Sequence, residues 1–208
     1  MGFYPDRVPD WFSKLFSSYH WHGDREDKKV HLTFDDGPTP EAIEFVLREL
    51  AKHRFQATFF CIGDQVAKNP EIYDLVQENG HRVGNHSFHH LNAWNTSKDD
   101  YLNNVDQCSE LVSSNLFRPP YGHITVKTAK GLKEKGYKII LWDVLSGDFD
   151  PNRTSDSCLK ALKKNTRNGS VIVFHDSEKS FEQLQKILPS YLEFLKENGW
   201  TSKVISEA

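Results

Sequence analysis

Two adjacent carboxylates, Asp35 and Asp36, are followed further along the chain by two histidines four residues apart, His86 and His90. These are residue types that hold divalent metals and move protons. Two imidazoles and one carboxylate make the three-residue set of a catalytic zinc site, with the fourth position left for water. A metal held in that way polarises a carbonyl and acidifies bound water, which is what amide or ester hydrolysis requires. Asp36 is read as the carboxylate ligand, and its neighbour Asp35 as the base for the attacking water. His175, closing the apolar run Val171-Ile172-Val173-Phe174, is the candidate acid for the departing amine, because histidine can carry a proton near neutral pH. Each residue also has a plainer reading. Asp-Asp-Gly-Pro is good turn chemistry, histidine pairs are commonly solvated, and a histidine at the end of a buried strand is more often structural. His89 is a weaker competitor for the metal, with a solvated neighbour as its plain reading.

The elements around these residues favour the chemical reading. From residue 29 onward, β-rich runs alternate with amphipathic ones. Strands are expected at 30–34, 57–61, 82–85, 116–117, 138–142, 170–174 and 201–205. Helices are expected to follow Pro40 and over 71–78, 101–114, 125–135, 158–164 and 181–197, two of them closed by glycine, Gly80 and Gly136. The spacing of His86 and His90 predicts a helical turn, opened near Ser87, that puts both imidazoles on one face. Strand-helix alternation in one domain predicts a parallel α/β sheet of about seven strands curled into a closed or nearly closed barrel. Asp35, Asp36, His86, Arg118, Asp148 and His175 all fall at or just after predicted strand ends. That face of an α/β barrel is where catalytic groups collect.

A chain of 208 residues is long enough for one domain with its own core. Residues 1–28 read as an N-terminal segment packing scattered aromatics (Phe3, Tyr4, Trp11, Phe12, Phe16, Tyr19, Trp21) on the outside of the domain formed by 29–208. A sugar-stacking role for those rings is the weaker reading, since their spacing does not aim them one way. There is no low-complexity linker and no internal repeat. The formal net charge of -3 gives no case for a nucleic-acid or anionic-membrane partner and leaves a neutral or polar substrate. Cys61, Cys108 and Cys158 match no metal or disulfide spacing and read as buried thiols. No run reaches the roughly 20 apolar residues of a membrane span, and no export signal is apparent. As written the chain reads as cytoplasmic; an exported protein trimmed of its leader would read the same way.

Taken together, five segments carry a resemblance. Thr33-Phe34-Asp35-Asp36-Gly37, His86-Ser87-Phe88-His89-His90, Arg118-Pro119-Pro120-Tyr121-Gly122, Trp142 to Phe149 and Val173-Phe174-His175-Asp176 occur in the order of the five motifs of the polysaccharide deacetylases. These form carbohydrate esterase family 4, defined by the NodB homology domain, and the likeness covers roughly residues 29–205. The resemblance implies a distorted, NodB-like (β/α) barrel of about seven strands and a divalent metal on Asp36, His86 and His90, usually zinc, with cobalt, nickel or manganese as other occupants. It implies Asp35 as base, paired with Arg118, and His175 as acid, oriented by Asp148. The Tyr121 amide would help stabilise the oxyanion, and Val173 would line the acetyl pocket.

The fourth motif departs from the common pattern: Leu145 stands for its first aspartate and Phe149 for its tryptophan. Phe149 keeps an apolar wall but loses an indole donor, which bears on pocket shape and substrate choice more than on the chemistry. The implied reaction is hydrolysis of the N-acetyl amide of amino sugars in peptidoglycan, chitin oligomers or a related polysaccharide. Alternatives are a metal amidase on a non-sugar amide or a lipid-linked formamido sugar, and a catalytically silent carbohydrate-binding module. Retention of base, acid, arginine and all three ligands argues against silence.

Overall fold

Along β1 (Lys29–Asp35) alternate residues face opposite ways, and both sides are buried. Val30, Leu32 and Phe34 join Phe59, Ile172 and Phe174 in the main core, with the Phe34 ring stacked 5.0 Å from Phe59 and 5.6 Å from Phe174. Phe60, Leu116, Ile140 and Val171 form a second cluster on the other side. Burial on both faces is the signature of a parallel sheet wrapped by helices.

The computed structural model describes residues 5–206. After β1 come β2 (Ala57–Cys61), β3 (Arg82–Asn85), β4 (Leu116–Phe117), β5 (Lys138–Ile139), β6 (Val144–Leu145), β7 (Val171–His175) and β8 (Thr201–Ser202). All pair in parallel in the order β5-β4-β3-β2-β1-β7-β6, with β8 beside β1. The helices are α1 (Asp10–Leu15), α2 (Pro40–His53), α3 (Gly63–Lys68), α4 (Pro70–Glu78), α5 (Lys98–Ser109), α6 (Val126–Glu134), α7 (Ser155–Asn165) and α8 (Glu178–Glu197). Proline opens α2, where its missing N–H costs nothing, and the helix buries Ile43, Val46 and Leu50 toward the sheet. Cys61, Cys108 and Cys158 are buried and free. Among the described residues, no helix is long and apolar enough to cross a membrane.

Several elements differ from the sequence reading. The two-residue β6 was not expected, because so short a pairing leaves no periodicity. The six-residue helices α1 and α3 were missed for the same reason. Helix α5 starts earlier than residue 101, at Lys98, where the Ser97 side chain caps Asp100 N at 3.2 Å, and it stops at Ser109 rather than 114. The strand expected at 138–142 pairs with β4 only over its first two residues, and that at 201–205 pairs with β1 only over 201–202.

Among the described residues the barrel is not closed by strand pairing, since β5 and β6 do not meet. Backbone bonds from the N-terminal segment reach both free edges. Val8 N donates to Asp143 O and Leu145 N to Asp6 O beside β6, while His20 N donates to Ile139 O and Leu141 N to His20 O beside β5. Trp21 is buried and packs edge-to-face on Phe12, whereas Trp11 and Phe16 are exposed. Phe3 and Tyr4 lie outside the described residues. An unpaired strand edge is open to solvent and to other chains. Deleting residues 1–27 is therefore expected to lower the melting temperature and promote self-association; calorimetry and light scattering check this, and an unchanged, monomeric transition would refute it.

Candidate active site

Register brings the candidate groups to one mouth. Asp35 pairs with His175 across β1 and β7, and Leu145 pairs with Val173 across β6 and β7. Partners in parallel strands point to the same face, so each pair lies side by side. These residues, with Asp36, His86, His90, Tyr121, Trp142 and Phe149, line a cavity of about 590 Å³ that extends to Trp94 and His123.

Asp36, His86 and His90 each offer a ligand atom, and these atoms lie within 4.8 Å of one another. His90 Nε2 is 3.2 Å and His86 Nε2 3.6 Å from Asp36 Oδ1. His86 Nδ1 lies 2.8 Å from the Arg118 carbonyl. A carbonyl only accepts, so Nδ1 carries the proton and Nε2 presents its lone pair to the site. Two nitrogens and one carboxylate oxygen, convergent and correctly tautomerised, suit a divalent metal. Burial opposes ionisation of Asp36, but the adjacent His86 and His90 imidazoles and the nearby His175 charge outweigh it, holding this carboxyl well below its usual range.

The expected helical turn at 86–90 is not formed. Ser87 and His90 have φ of +62° and +56°, a left-handed conformation outside a regular helix. The loop is held instead by two asparagines. Asn85 Oδ1 accepts from Ser87 N at 2.8 Å, and Asn104 Oδ1 accepts from Phe88 N and His89 N at 3.0 Å. His89 turns outward, its Nδ1 accepting from Asn104 Nδ2 at 2.9 Å, and takes no part in the metal cluster.

Arg118 is wholly buried, and its Nη1 donates to Asp35 Oδ1 at 2.6 Å and to the Thr33 hydroxyl at 2.7 Å. The guanidinium lies over the Phe60 ring at 4.1 Å, which fixes its plane. Burial lowers the Arg118 pKa, with Asp35 acting in the other direction. On the other wall, Asp148 Oδ1 lies 2.8 Å from His175 Nδ1, and Asp148 Oδ2 accepts from the His175 backbone N at 2.8 Å. Desolvation opposes a charge on His175, but Asp148 first, then Asp36 and Asp35, raise its pKa to about 9. The ring therefore holds its proton through neutral pH. Phe149 packs edge-to-face on that imidazole at 5.1 Å. Tyr121 is exposed in a left-handed conformation with φ of +60°, and its ring lies 4.5 Å from His90.

Asp176, the last residue of the fifth segment, is tied to the aspartate turn. It is 1% exposed. Its Oδ1 accepts from Gly37 N at 3.0 Å, its N–H donates to Asp35 O at 3.0 Å, and its carbonyl accepts from the Thr39 hydroxyl. A Cβ on Gly37 would lie 2.0 Å from Asp176 Oδ2, so only glycine fits there. Burial, then the Asp36 charge, pushes the Asp176 carboxyl well above its ordinary range. Asn85, Asn104 and Asp176 escaped the sequence reading because short polar residues near turns are everywhere, and their partners lie far away in sequence.

This geometry has known counterparts. The polysaccharide deacetylase family model matches residues 22–140. A peptidoglycan-N-acetylglucosamine deacetylase of Bacillus cereus is 33% identical over 196 residues, covering 90% of this chain and 91% of that protein. The crystal structure of the Bc1960 peptidoglycan N-acetylglucosamine deacetylase superposes with a TM-score of 0.82 at 30% identity, covering 95% of each chain. BA3943 of Bacillus anthracis, described as a carbohydrate esterase family 4 pseudoenzyme, superposes with a TM-score of 0.78 at 25% identity, covering 90% of this chain and 67% of that one. The fold therefore hosts silent members as well, and activity has to be argued from the site's own residues. Matched over more than half its length and carrying the motifs in order, the chain belongs to the polysaccharide deacetylase family, carbohydrate esterase family 4.

Proposed function

We propose that this protein removes acetyl groups from the N-acetylglucosamine units of peptidoglycan or of a chitin-like glycan, with zinc on Asp36, His86 and His90. As a polysaccharide deacetylase it is a metal-dependent hydrolase of carbon-nitrogen bonds other than peptide bonds. One observation carries the reading: a convergent Asp-His-His cluster sits between an arginine-held carboxylate and an aspartate-held histidine, in one cavity.

A divalent metal bound there supplies a Lewis acid that polarises the amide carbonyl and acidifies water. Asp35 takes the proton from the attacking water. Arg118 fixes the orientation and charge of Asp35, a task suited to a rigid guanidinium. As charge develops on the former carbonyl oxygen, the Tyr121 backbone amide donates to it. His175 then gives its proton to the departing amine nitrogen, with Asp148 holding the ring in the donating orientation. Leu145, Val173, Trp142 and Phe149, which line the cavity, would enclose the acetyl methyl. The apolar wall favours a small acyl group through the steric cost of anything larger, since one buried methyl contributes only about 1 kcal/mol.

Acetate release from chitooligosaccharides, peptidoglycan and small N-acetyl sugars, with and without chelator, tests the proposal; no release from any of them, or release that survives complete metal removal, rejects it. His175→Ala should keep its metal and turn over about 10²–10⁴-fold more slowly, and a near-normal rate would return His175 to a structural role. The pKa of His175 is raised from 6.5 to about 9, so the folded enzyme keeps the charged form through neutral pH and loses it as pH climbs through about 9. Activity should fall on that alkaline side. Asp148→Asn removes the strongest influence raising this pKa, so the fall should move to lower pH; an unmoved limb in a pH-rate profile would show that another group sets it.

A further inference from the structure

Trp94 is 63% exposed, although it belongs to the cavity that holds the metal cluster. Large exposed aromatics beside a binding cleft commonly mark a contact surface. This one is also built rigidly. Its indole lies face to face on the His123 imidazole, with ring centroids 3.5 Å apart and planes 8° from parallel. Asn92 ties the pair together: its Oδ1 accepts from Trp94 N at 2.9 Å and lies 3.1 Å from His123 Nδ1, while its carbonyl accepts from the Thr96 hydroxyl at 2.9 Å. One face of the indole is thus spent on histidine and the other is left to solvent.

From the metal cluster outward, the rings form a path. Tyr121 lies 4.5 Å from His90, His123 lies 5.9 Å from Tyr121, and Trp94 covers His123. A sugar whose N-acetyl group reached the Asp36-His86-His90 cluster would lie against His90 and Tyr121. Trp94 stands two rings beyond, where the next sugar of the same chain would pass. Pyranose rings of β-linked N-acetylglycans offer apolar C–H faces that stack on flat aromatic surfaces. A fixed indole contributes such contact with little rotamer entropy left to lose.

We propose that the Trp94–His123 pair is a stacking platform for the sugar adjoining the one being deacetylated, and that it makes the enzyme prefer oligomers to short substrates. This rests on the deacetylase reading above and adds the length of glycan the site selects. No part of the platform touches the reacting atoms, so its effect belongs in KM and in the ratio between long and short substrates.

The test compares wild type, Trp94→Ala and Trp94→Phe on N-acetylated chitopentaose and on the monosaccharide N-acetylglucosamine, with metal content and oligomeric state measured for each. For Trp94→Ala, kcat/KM on the pentamer should fall about tenfold, carried mainly by KM and equal to about 1.4 kcal/mol of lost contact. The loss on the monosaccharide, which has no adjoining sugar to stack, should be much smaller, and Trp94→Phe should recover most of the pentamer rate. Wild-type inactivity on every glycan would reject the deacetylase reading itself. An active wild type with equal losses on both lengths would show that Trp94 shapes the catalytic centre and overturn the platform. No loss on either substrate, or a dimer of this chain that dissolves in Trp94→Ala, would overturn it as well.

Discussion

Replacing Asp35 with asparagine is expected to lower kcat by about 10⁴-fold, the upper end of what a positioned base contributes, while metal content stays at the wild-type level. The two adjacent aspartates have different surroundings. Asp36, with φ of +82°, turns its carboxylate to the two histidines, whereas Asp35 ends β1 and meets Arg118. Asparagine keeps an oxygen for Arg118 but cannot take a proton from water. Elemental analysis beside the rate measurement decides the assignment. Loss of metal together with activity would mean that Asp35 is a ligand and that the two roles have been exchanged. Asp36→Ala is the complement, expected to lose both.

Arg118→Ala should have the largest effect on stability. Both partners of this ion pair are buried, Arg118 at 0% and Asp35 at 3% exposure. Removing the guanidinium strands a carboxylate out of water and empties the space between Phe60 and Trp142, over whose rings it lies at 4.1 and 5.8 Å. Breaking a buried pair in this way costs about 3–5 kcal/mol, or roughly 6–20 °C in Tm for a chain of this size. The His86 ring should stay oriented, because it is held by the Arg118 backbone carbonyl and not by the side chain. The folded fraction should therefore still take up metal, yet be nearly inactive. Combining Arg118→Met with Asp35→Asn, which removes both charges, should recover much of the stability and none of the activity. A single variant with wild-type Tm would show that Asp35 finds another partner.

Asp176 offers a subtler case. Asp176→Asn keeps an acceptor for Gly37 N, whereas Asp176→Ala leaves that amide unpaired and frees the turn carrying Asp35 and Asp36. The alanine variant should bind metal more weakly than the asparagine one. Equal affinities by chelator competition would reduce Asp176 to packing.

Local pattern determined much of this protein. Near-continuous β-rich runs at 30–34, 57–61 and 170–174, with the amphipathic runs between them, were enough to specify parallel strands and crossover helices, because burial on both faces imposes that pattern directly. Clustering of Asp35, Asp36, His86, Arg118, Asp148 and His175 at strand ends was also legible, since parallel strands all deliver their C-terminal ends to one face. What tertiary structure alone decided were the details that depend on distant residues. His86 and His90 converge through left-handed residues pinned by Asn85 and Asn104, not through a helical turn, and a spacing of four does not distinguish the two. The open edges of β5 and β6 are covered by a segment whose pairing partners lie more than a hundred residues away, so no local signal announces it. Trp94 and His123 become one surface only when the loop after His90 meets the turn after Tyr121. Local order is written in periodicity, which any short window of sequence contains; contacts between loops depend on the closed fold.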